Sequence, residues 1–180
     1  MTSVKTLEML ISRKKIAETV KRMAHQIEAD YLMEMPLLVA VLKGSFIFLA
    51  DLVREMQRPV ELDFIRLSSY GSDTNTSGMV RLRMGVTSSV KGRDVLVVED
   101  IVDTGLTTTY AARYLQRNGA SSVRLCTLLD KPHRRQVPVT PDYMGFMVPN
   151  KFIVGYGLDF DEQYRHLPDI YILTGGGHEP

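Results

Sequence analysis

Residues 95–108 read Val-Leu-Val-Val-Glu-Asp-Ile-Val-Asp-Thr-Gly-Leu-Thr-Thr and hold the densest chemistry in the chain. Two adjacent carboxylates, Glu99 and Asp100, follow a short apolar run, and Asp103 comes soon after. Thr104, Gly105, Thr107 and Thr108 then lead into a helical pattern. Gly105 can take backbone angles that crowded residues avoid. Successive N–H groups ahead of a helix form an anion nest, and the helix dipole favours negative charge there. Threonine hydroxyls add donors, so the set suits a phosphate monoester. Carboxylates beside a phosphate repel it unless a sugar with hydroxyls, or a divalent metal, stands between them. The pattern points to a phosphorylated sugar, with acids on the sugar face and amides on the phosphate. A strand-end acid can also merely solvate a loop, and one Asp or Thr can cap a helix. That plainer reading suits any one of these residues but not the whole set. Neither a Gly-x-x-x-x-Gly-Lys loop nor a dinucleotide fingerprint occurs.

The elements that must position these groups follow from periodicity. Ser12 caps an expected helix whose apolar face is Ile16, Val20, Met23, Ile27 and Tyr31, at spacings of three and four. Residues 37–42 read as a buried strand, and Lys43-Gly44-Ser45 as a turn. A second helix is expected over 46–56 and another strand over 60–67. Residues 68–78 are small and polar without a period, which predicts a long mobile loop. Residues 79–84 alternate apolar and basic, as in a half-exposed strand. Residues 95–98 predict a strand, 99–105 a loop, 107–118 a helix ended by Gly119, and 122–129 the next strand. That order makes a right-handed βαβ crossover in a parallel sheet. Ligands in such a sheet sit beyond the carboxyl ends of the strands. Short strands are expected over 143–148, 152–156 and 169–173. The fold class is therefore α/β with a small appended subregion.

The whole chain sets the bounds. Its 180 residues fit one ordinary domain, long enough for a core without staples. Lys and Arg number 22 against 21 Asp and Glu, so no basic excess suggests a nucleic-acid partner. The cluster Arg13-Lys14-Lys15 reads as a solvated helix face. The single Cys126 lies in an apolar run and reads as a buried strand residue, in keeping with a reducing compartment. The N-terminus shows no signal-peptide pattern, and the apolar run from Pro36 to Leu42 is too short to span a bilayer. The four histidines are scattered without metal-ligand spacing.

Residues 97–108 resemble the signature of phosphoribosyltransferases. The chain from about residue 10 to 173 resembles their hypoxanthine (hypoxanthine-guanine) branch. The matching residues are Leu42-Lys43-Gly44, Ser69-Tyr70, Glu99-Asp100 with Asp103-Thr104-Gly105, Lys131, the run from Lys151 to Tyr156, and Asp159 with Arg165. Their order and spacing make the match specific, whereas the Asp-Thr-Gly loop alone would give only the superfamily.

The resemblance implies a type I phosphoribosyltransferase fold over residues 1–180 as one domain. A central parallel sheet would be flanked by helices, with a small hood formed by the N- and C-terminal segments. It implies a cytoplasmic purine-salvage enzyme acting on phosphoribosyl pyrophosphate and 6-oxopurine bases, with Mg2+ as cofactor, as a homodimer or homotetramer. Neither nucleic acid nor membrane would be a partner. Asp103 would be the general base, and the Asp103–Thr107 loop, including Leu106 through its amide, would cradle the 5′-phosphate. Glu99 and Asp100 would hold the ribose hydroxyls and the metal shell. Lys43, Gly44 and Arg165 would bind pyrophosphate, and the Leu42–Lys43 peptide can be cis in the family. Lys131 would donate to the purine 6-oxo group, Phe152 would stack on the ring, and Ile153 would offer its carbonyl to the 2-position. Asp159 would bind a second Mg2+, and Ser69 and Tyr70 would belong to a lid. From the residues alone, Lys43 and Arg165 read as surface charges and Phe152 as a core aromatic; the resemblance reverses those preferences. Two alternatives stand beside it: a regulator or RNA-binding protein on the same fold, and an enzyme specific for xanthine or guanine.

Overall fold

The computed structural model describes residues 5–69 and 80–175. The elements are β1 (Thr6–Ile11), α1 (Arg13–Asp30), β2 (Leu37–Leu42), α2 (Phe46–Glu55), β3 (Leu62–Ser69), β4 (Val80–Met84), β5 (Asp94–Val102), α3 (Leu106–Arg117), β6 (Ser122–Asp130), β7 (Tyr143–Met147), β8 (Ile153–Val154) and β9 (Ile170–Thr174). A short 3-10 turn, Pro132–Arg134, follows β6.

Six strands form one sheet in the order β4-β3-β2-β5-β6-β7. All neighbours are parallel except β4, which runs antiparallel to β3 at the edge. The sheet is thus mixed rather than wholly parallel. A parallel neighbour needs a crossover, and the chain from β3 returns directly to pair as β4. The expected β5–α3–β6 unit forms with parallel pairing.

Both faces of the sheet are covered, so its central strands are apolar on both sides. Leu38, Ala40, Leu96 and Val98 face α1 and α2, where Ile16, Met23, Ile27, Phe48 and Leu52 pack on them. Leu37, Val39, Val95 and Val97 face α3, meeting Ala111 and Leu115. Ser12 caps α1 through its hydroxyl, and the predicted face Ile16, Val20, Met23 and Ile27 is buried. Cys126 is a buried free thiol, its pKa pushed up by burial.

Two of the boundaries that differ from expectation lie at the ligand edge of the sheet. The strand before the acids runs to Val102, so Glu99 and Asp100 lie on β5 rather than in a loop. Pairing with β6 persists, Glu99 opposite Thr127 and Val102 opposite Asp130, and this overrides their polar character. The helix begins at Leu106, with Gly105 as its cap at φ 82°.

A second sheet, β1-β9-β8, was only partly expected. The missing strand is β1, whose alternating apolar residues Leu7 and Met9 are exposed rather than buried in the core. Its order comes from antiparallel pairing with β9 at the far end of the chain, Thr6 opposite Thr174 and Met9 opposite Tyr171. Asp169 ties this sheet to α1. Its carboxylate accepts from the Arg13 amide at 2.7 Å and pairs with the Arg13 guanidinium at 3.1 Å. Among the described residues no helix is long and apolar enough to cross a membrane.

Candidate active site

The strand order reverses direction between β2 and β5. From β2 the chain winds outward through α2 to β3, and from β5 it winds the other way through α3 to β6. Such a switch point opens a crevice at the carboxyl ends of the strands. Lys43 and Gly44 follow β2, Asp100 lies near the end of β5 and Asp103 follows it, and Lys131 follows β6, so all stand at this edge.

A cavity of about 440 Å³ lies there. Its walls carry the acids Asp100, Asp103 and Asp159, the bases Lys131, Arg134 and Lys151, and the apolar Ile101, Phe152, Ile153 and Leu158. Six residues expected from sequence thus share one cleft: Asp100, Asp103, Lys131, Phe152, Ile153 and Asp159. Glu99 is buried at 7% exposure, outside the cleft lining. Successive strand residues point to opposite faces, which turns it away from its neighbour Asp100.

The two β5 acids are electrically unusual. Burial drives the Glu99 carboxyl well above its ordinary pKa, and the charge of Asp100 adds to the shift. Its Oε2 is buried without a hydrogen-bond partner among the described residues. Burial also pushes Asp100 up to about 6, against the stabilising Ile101 amide and Arg165. Asp100 thus stays raised despite its amide donor and Arg165, so positive charge brought by a ligand would favour its charged form.

The peptide between Leu42 and Lys43 is cis. A Cβ on Gly44 would overlap the Asp100 carboxylate, so a side chain there would force Asp100 to move. Gly157 is just as restricted, since a Cβ there would overlap the Gly44 carbonyl. The turn is thus held between β5 and the segment after β8.

The Thr104–Leu106 turn opens α3. The Thr104 hydroxyl accepts from the Leu106 amide at 3.4 Å, and the Gly105 carbonyl accepts from Thr109 N at 3.0 Å. Asp103, Thr104, Gly105, Leu106 and Thr107 are continuous around this helix start, where donors and the helix dipole favour an anion.

Lys131 is 7% exposed, and its Nζ donates to the Lys151 carbonyl at 2.7 Å. Burial lowers its pKa, Asp103 opposes that shift, and Arg134 adds to it. Phe152 stands edge-on to Phe160 with ring centres 5.0 Å apart. Arg165 pairs with Asp159 at 2.8 Å and donates to the Gly157 carbonyl at 2.8 Å. Ser69 is the last residue of β3, and Tyr70 lies outside the described residues.

Three charged residues at the site escaped the sequence reading. Arg134 Nε lies 2.9 Å from Asp103 Oδ1 as an ion pair, but its N–H is not aligned to donate to that oxygen. Glu162 contacts both Lys43 and Arg165. Arg135 donates to the carbonyls of Val102 and Asp103 at 2.7 and 2.6 Å, to Val139 O at 3.3 Å, and to the Asp130 carboxylate. The only signal for the two arginines was their adjacency after Lys131-Pro132, in a stretch without periodicity.

A family profile described as Phosphoribosyl transferase domain matches residues 7–161. The chain belongs to the phosphoribosyltransferase family. Within it, the hypoxanthine-guanine phosphoribosyltransferase of Bacillus subtilis is 41% identical over 96% of both chains. A solved hypoxanthine-guanine phosphoribosyltransferase from Bacillus anthracis superposes with a TM-score of 0.88 at 46% identity, covering 93% of this chain and 98% of that one. The bifunctional protein TilS/HprT of Listeria innocua is 45% identical over 92% of this chain, and the match spans 26% of that longer protein. The α/β architecture with a small second sheet is that of phosphoribosyltransferases, as the resemblance implied.

Proposed function

We propose that this phosphoribosyltransferase serves purine salvage, transferring the 5-phosphoribosyl group of phosphoribosyl pyrophosphate to hypoxanthine, and to guanine, with release of pyrophosphate. The products are IMP and GMP. The observation that supports this most is the shared cleft of Asp103, Lys131 and Phe152 beside the Gly105 turn that opens α3. Binding a phosphosugar needs the turn alone; a carboxylate, an ammonium and an aromatic ring together suit a base that must be deprotonated, oriented and stacked.

The 5′-phosphate docks on the amides between Asp103 and Thr107, and the ribose hydroxyls face Glu99 and Asp100. The bond between the anomeric carbon and pyrophosphate breaks, its electron pair leaving with pyrophosphate. The purine ring nitrogen supplies the new bond, and its proton passes to Asp103. The transition state has oxocarbenium character, so carboxylates close to the ring stabilise it more than the ground state. Lys131 donates to the 6-oxo group. An adenine amino group there would oppose donor to donor, which disfavours adenine. Phe152 stacks on the purine and the Ile153 carbonyl faces the 2-position. Lys43, Gly44 and Arg165 receive pyrophosphate, Arg165 as a fork of donors. Ser69 and Tyr70 belong to a lid that excludes water.

The acids suit Mg2+. Among the described residues no three His, Cys, Asp or Glu side chains gather as a cage. Mg2+ commonly takes only one or two carboxylates, with phosphates and waters completing its shell. The raised Asp100 carboxyl in the cleft fits that demand, whereas Glu99 is buried outside the lining and would have to turn toward the cleft to join it. Glu99 and Asp100 would hold one ion and Asp159 a second, and the metal would neutralise charge on pyrophosphate. The working unit in this reading is a single domain of residues 1–180 with β1, β8 and β9 as its hood, assembled as a cytoplasmic homodimer or homotetramer.

Pyrophosphate release from phosphoribosyl pyrophosphate with Mg2+ and hypoxanthine, guanine or xanthine tests the proposal. Turnover with the first two is expected. Turnover with none, or with xanthine alone, overturns it.

A further inference from the structure

The Glu162 carboxylate bridges two cations from separate segments. Its Oε1 lies 2.7 Å from Lys43 Nζ, and its Oε2 lies 3.2 Å from Arg165 Nη2. Its amide donates to Asp159 Oδ2 at 2.9 Å. The backbone is shaped to hold it there. Asp161, Glu162 and Tyr164 have φ of 53°, 59° and 73°, though none is glycine. Phe160 and Gln163 close the turn with reciprocal bonds of 3.2 and 3.0 Å. Left-handed geometry in non-glycine residues persists only where the surroundings fix it, and it gathers at functional sites.

The Arg135–Asp130 pair is largely buried at both partners. Glu162 instead keeps 63% of its side chain exposed, and its Lys43 partner 45%. Exposed pairs are weak and exchange readily. The carboxylate meets Lys43 alone and shares Arg165 Nη2 with Asp159, whose Oδ1 lies at 2.8 Å, while the buried Arg165 Nε has no partner among the described residues.

Resting on the reading of Lys43 and Arg165 as the pyrophosphate side, we propose that Glu162 is an internal counter-ion that occupies the pyrophosphate subsite in the free protein and is displaced when pyrophosphate binds. Pyrophosphate carries more charge and more oxygens than a carboxylate, and so can hold Lys43 and Arg165 together more strongly than Glu162 does. At product release the exchange runs backwards, and Glu162 reclaims both cations as pyrophosphate leaves. It is thus a positioning residue that sets affinity for the leaving group.

Calorimetric titration of the full chain with pyrophosphate in Mg2+ tests this, using wild type, Glu162→Gln, Glu162→Ala and Arg165→Ala. Both Glu162 variants are expected to bind pyrophosphate about three- to tenfold more tightly, the scale on which two exposed pairs compete. The KM for hypoxanthine should stay unchanged, a split that general loosening of the site would not give. Unchanged or weaker pyrophosphate binding in both variants, with Arg165→Ala still losing affinity, overturns the counter-ion role and leaves the subsite standing. Pyrophosphate affinity indifferent to Arg165→Ala removes the subsite reading itself.

Discussion

Arg135 fastens the end of β5 to the loop that follows β6, and Arg135→Ala should loosen both. Its guanidinium reaches the carbonyls of Val102, Asp103, Lys131 and Val139 and the carboxylate of Asp130. The Arg135 side chain is 14% exposed and that of Asp130 8%, so little water can replace what is lost. Breaking a buried pair from one side strands the other charge and typically costs about 3–5 kcal/mol. Asp103 and Thr104 belong to the same assembly. Gln136 N donates to the Thr104 carbonyl at 2.9 Å, and Val137 and Val139 pack where a Cβ on Gly105 would project. Removing the guanidinium therefore frees the phosphate-side turn as well as the core edge. Urea unfolding of wild type, Arg135→Ala, Asp130→Asn and the double variant measures this, with linear extrapolation to water. The single Arg135→Ala should lose about 3–5 kcal/mol. The double variant should recover part of that, because the stranded carboxylate is gone. In kinetics the KM for phosphoribosyl pyrophosphate should rise more than the KM for the purine. A loss under about 1 kcal/mol, the scale of an exposed pair, with an unchanged KM for the sugar substrate would refute the argument.

Asp103→Asn keeps the side-chain shape beside Arg134 but removes the base, so turnover should fall by about 10²–10⁴-fold while the sugar substrate still binds. Single-turnover mixing reads the chemical step directly, and an unchanged rate would take Asp103 out of that role. Lys131→Ala should weaken 6-oxopurine binding more than phosphoribosyl pyrophosphate binding, as judged by separate titrations; equal losses would contradict its place at the 6-oxo group. Asp63→Ala should destabilise the protein by about 1–3 kcal/mol at neutral pH, since its carboxylate accepts from Phe64, Thr87 and Ser88 amides. Burial alone would raise the Asp63 pKa, but those amides outweigh it and hold the group below its ordinary value. A depressed carboxyl adds stability that is complete above the unfolded-chain pKa and fades as pH falls through the folded one. The gap between variant and wild type should therefore be flat from neutral pH to the ordinary carboxylate range and narrow below it. Urea midpoints across that range would show it, and a gap that widens in acid would reject the assignment.

The central sheet was legible because its strands and helices carry their own period. The buried faces of α1 and β2 follow directly from apolar spacing. The exact end of β5 was not legible, since Glu99 and Asp100 are polar and only pairing with β6 keeps them in the strand. Nor was β1, whose residues are mostly exposed and whose order is supplied by a strand at the opposite terminus. The site divides along the same line. Asp100, Asp103, Lys131 and Phe152 sit in or beside elements with a readable pattern, and sequence brings them to the cleft. Arg134, Arg135 and Glu162 sit in aperiodic connections, where only folding decides which charge meets which. Their partners tell them apart. Arg135 meets a buried carboxylate and four main-chain carbonyls, a pairing that serves stability. Arg134 meets the carboxylate assigned as the base, and Glu162 meets the two cations assigned to the leaving group. Both of those contacts are accessible, and both neutralise a group that a bound ligand would otherwise neutralise. The free protein thus fills its own charge demands at the proton-accepting and pyrophosphate-holding ends of the cleft, while Glu99, buried outside the cleft lining, keeps one oxygen short of donors among the described residues. Substrate binding on this account is an exchange of internal ion pairs for ligand contacts, concentrated where chemistry separates charge.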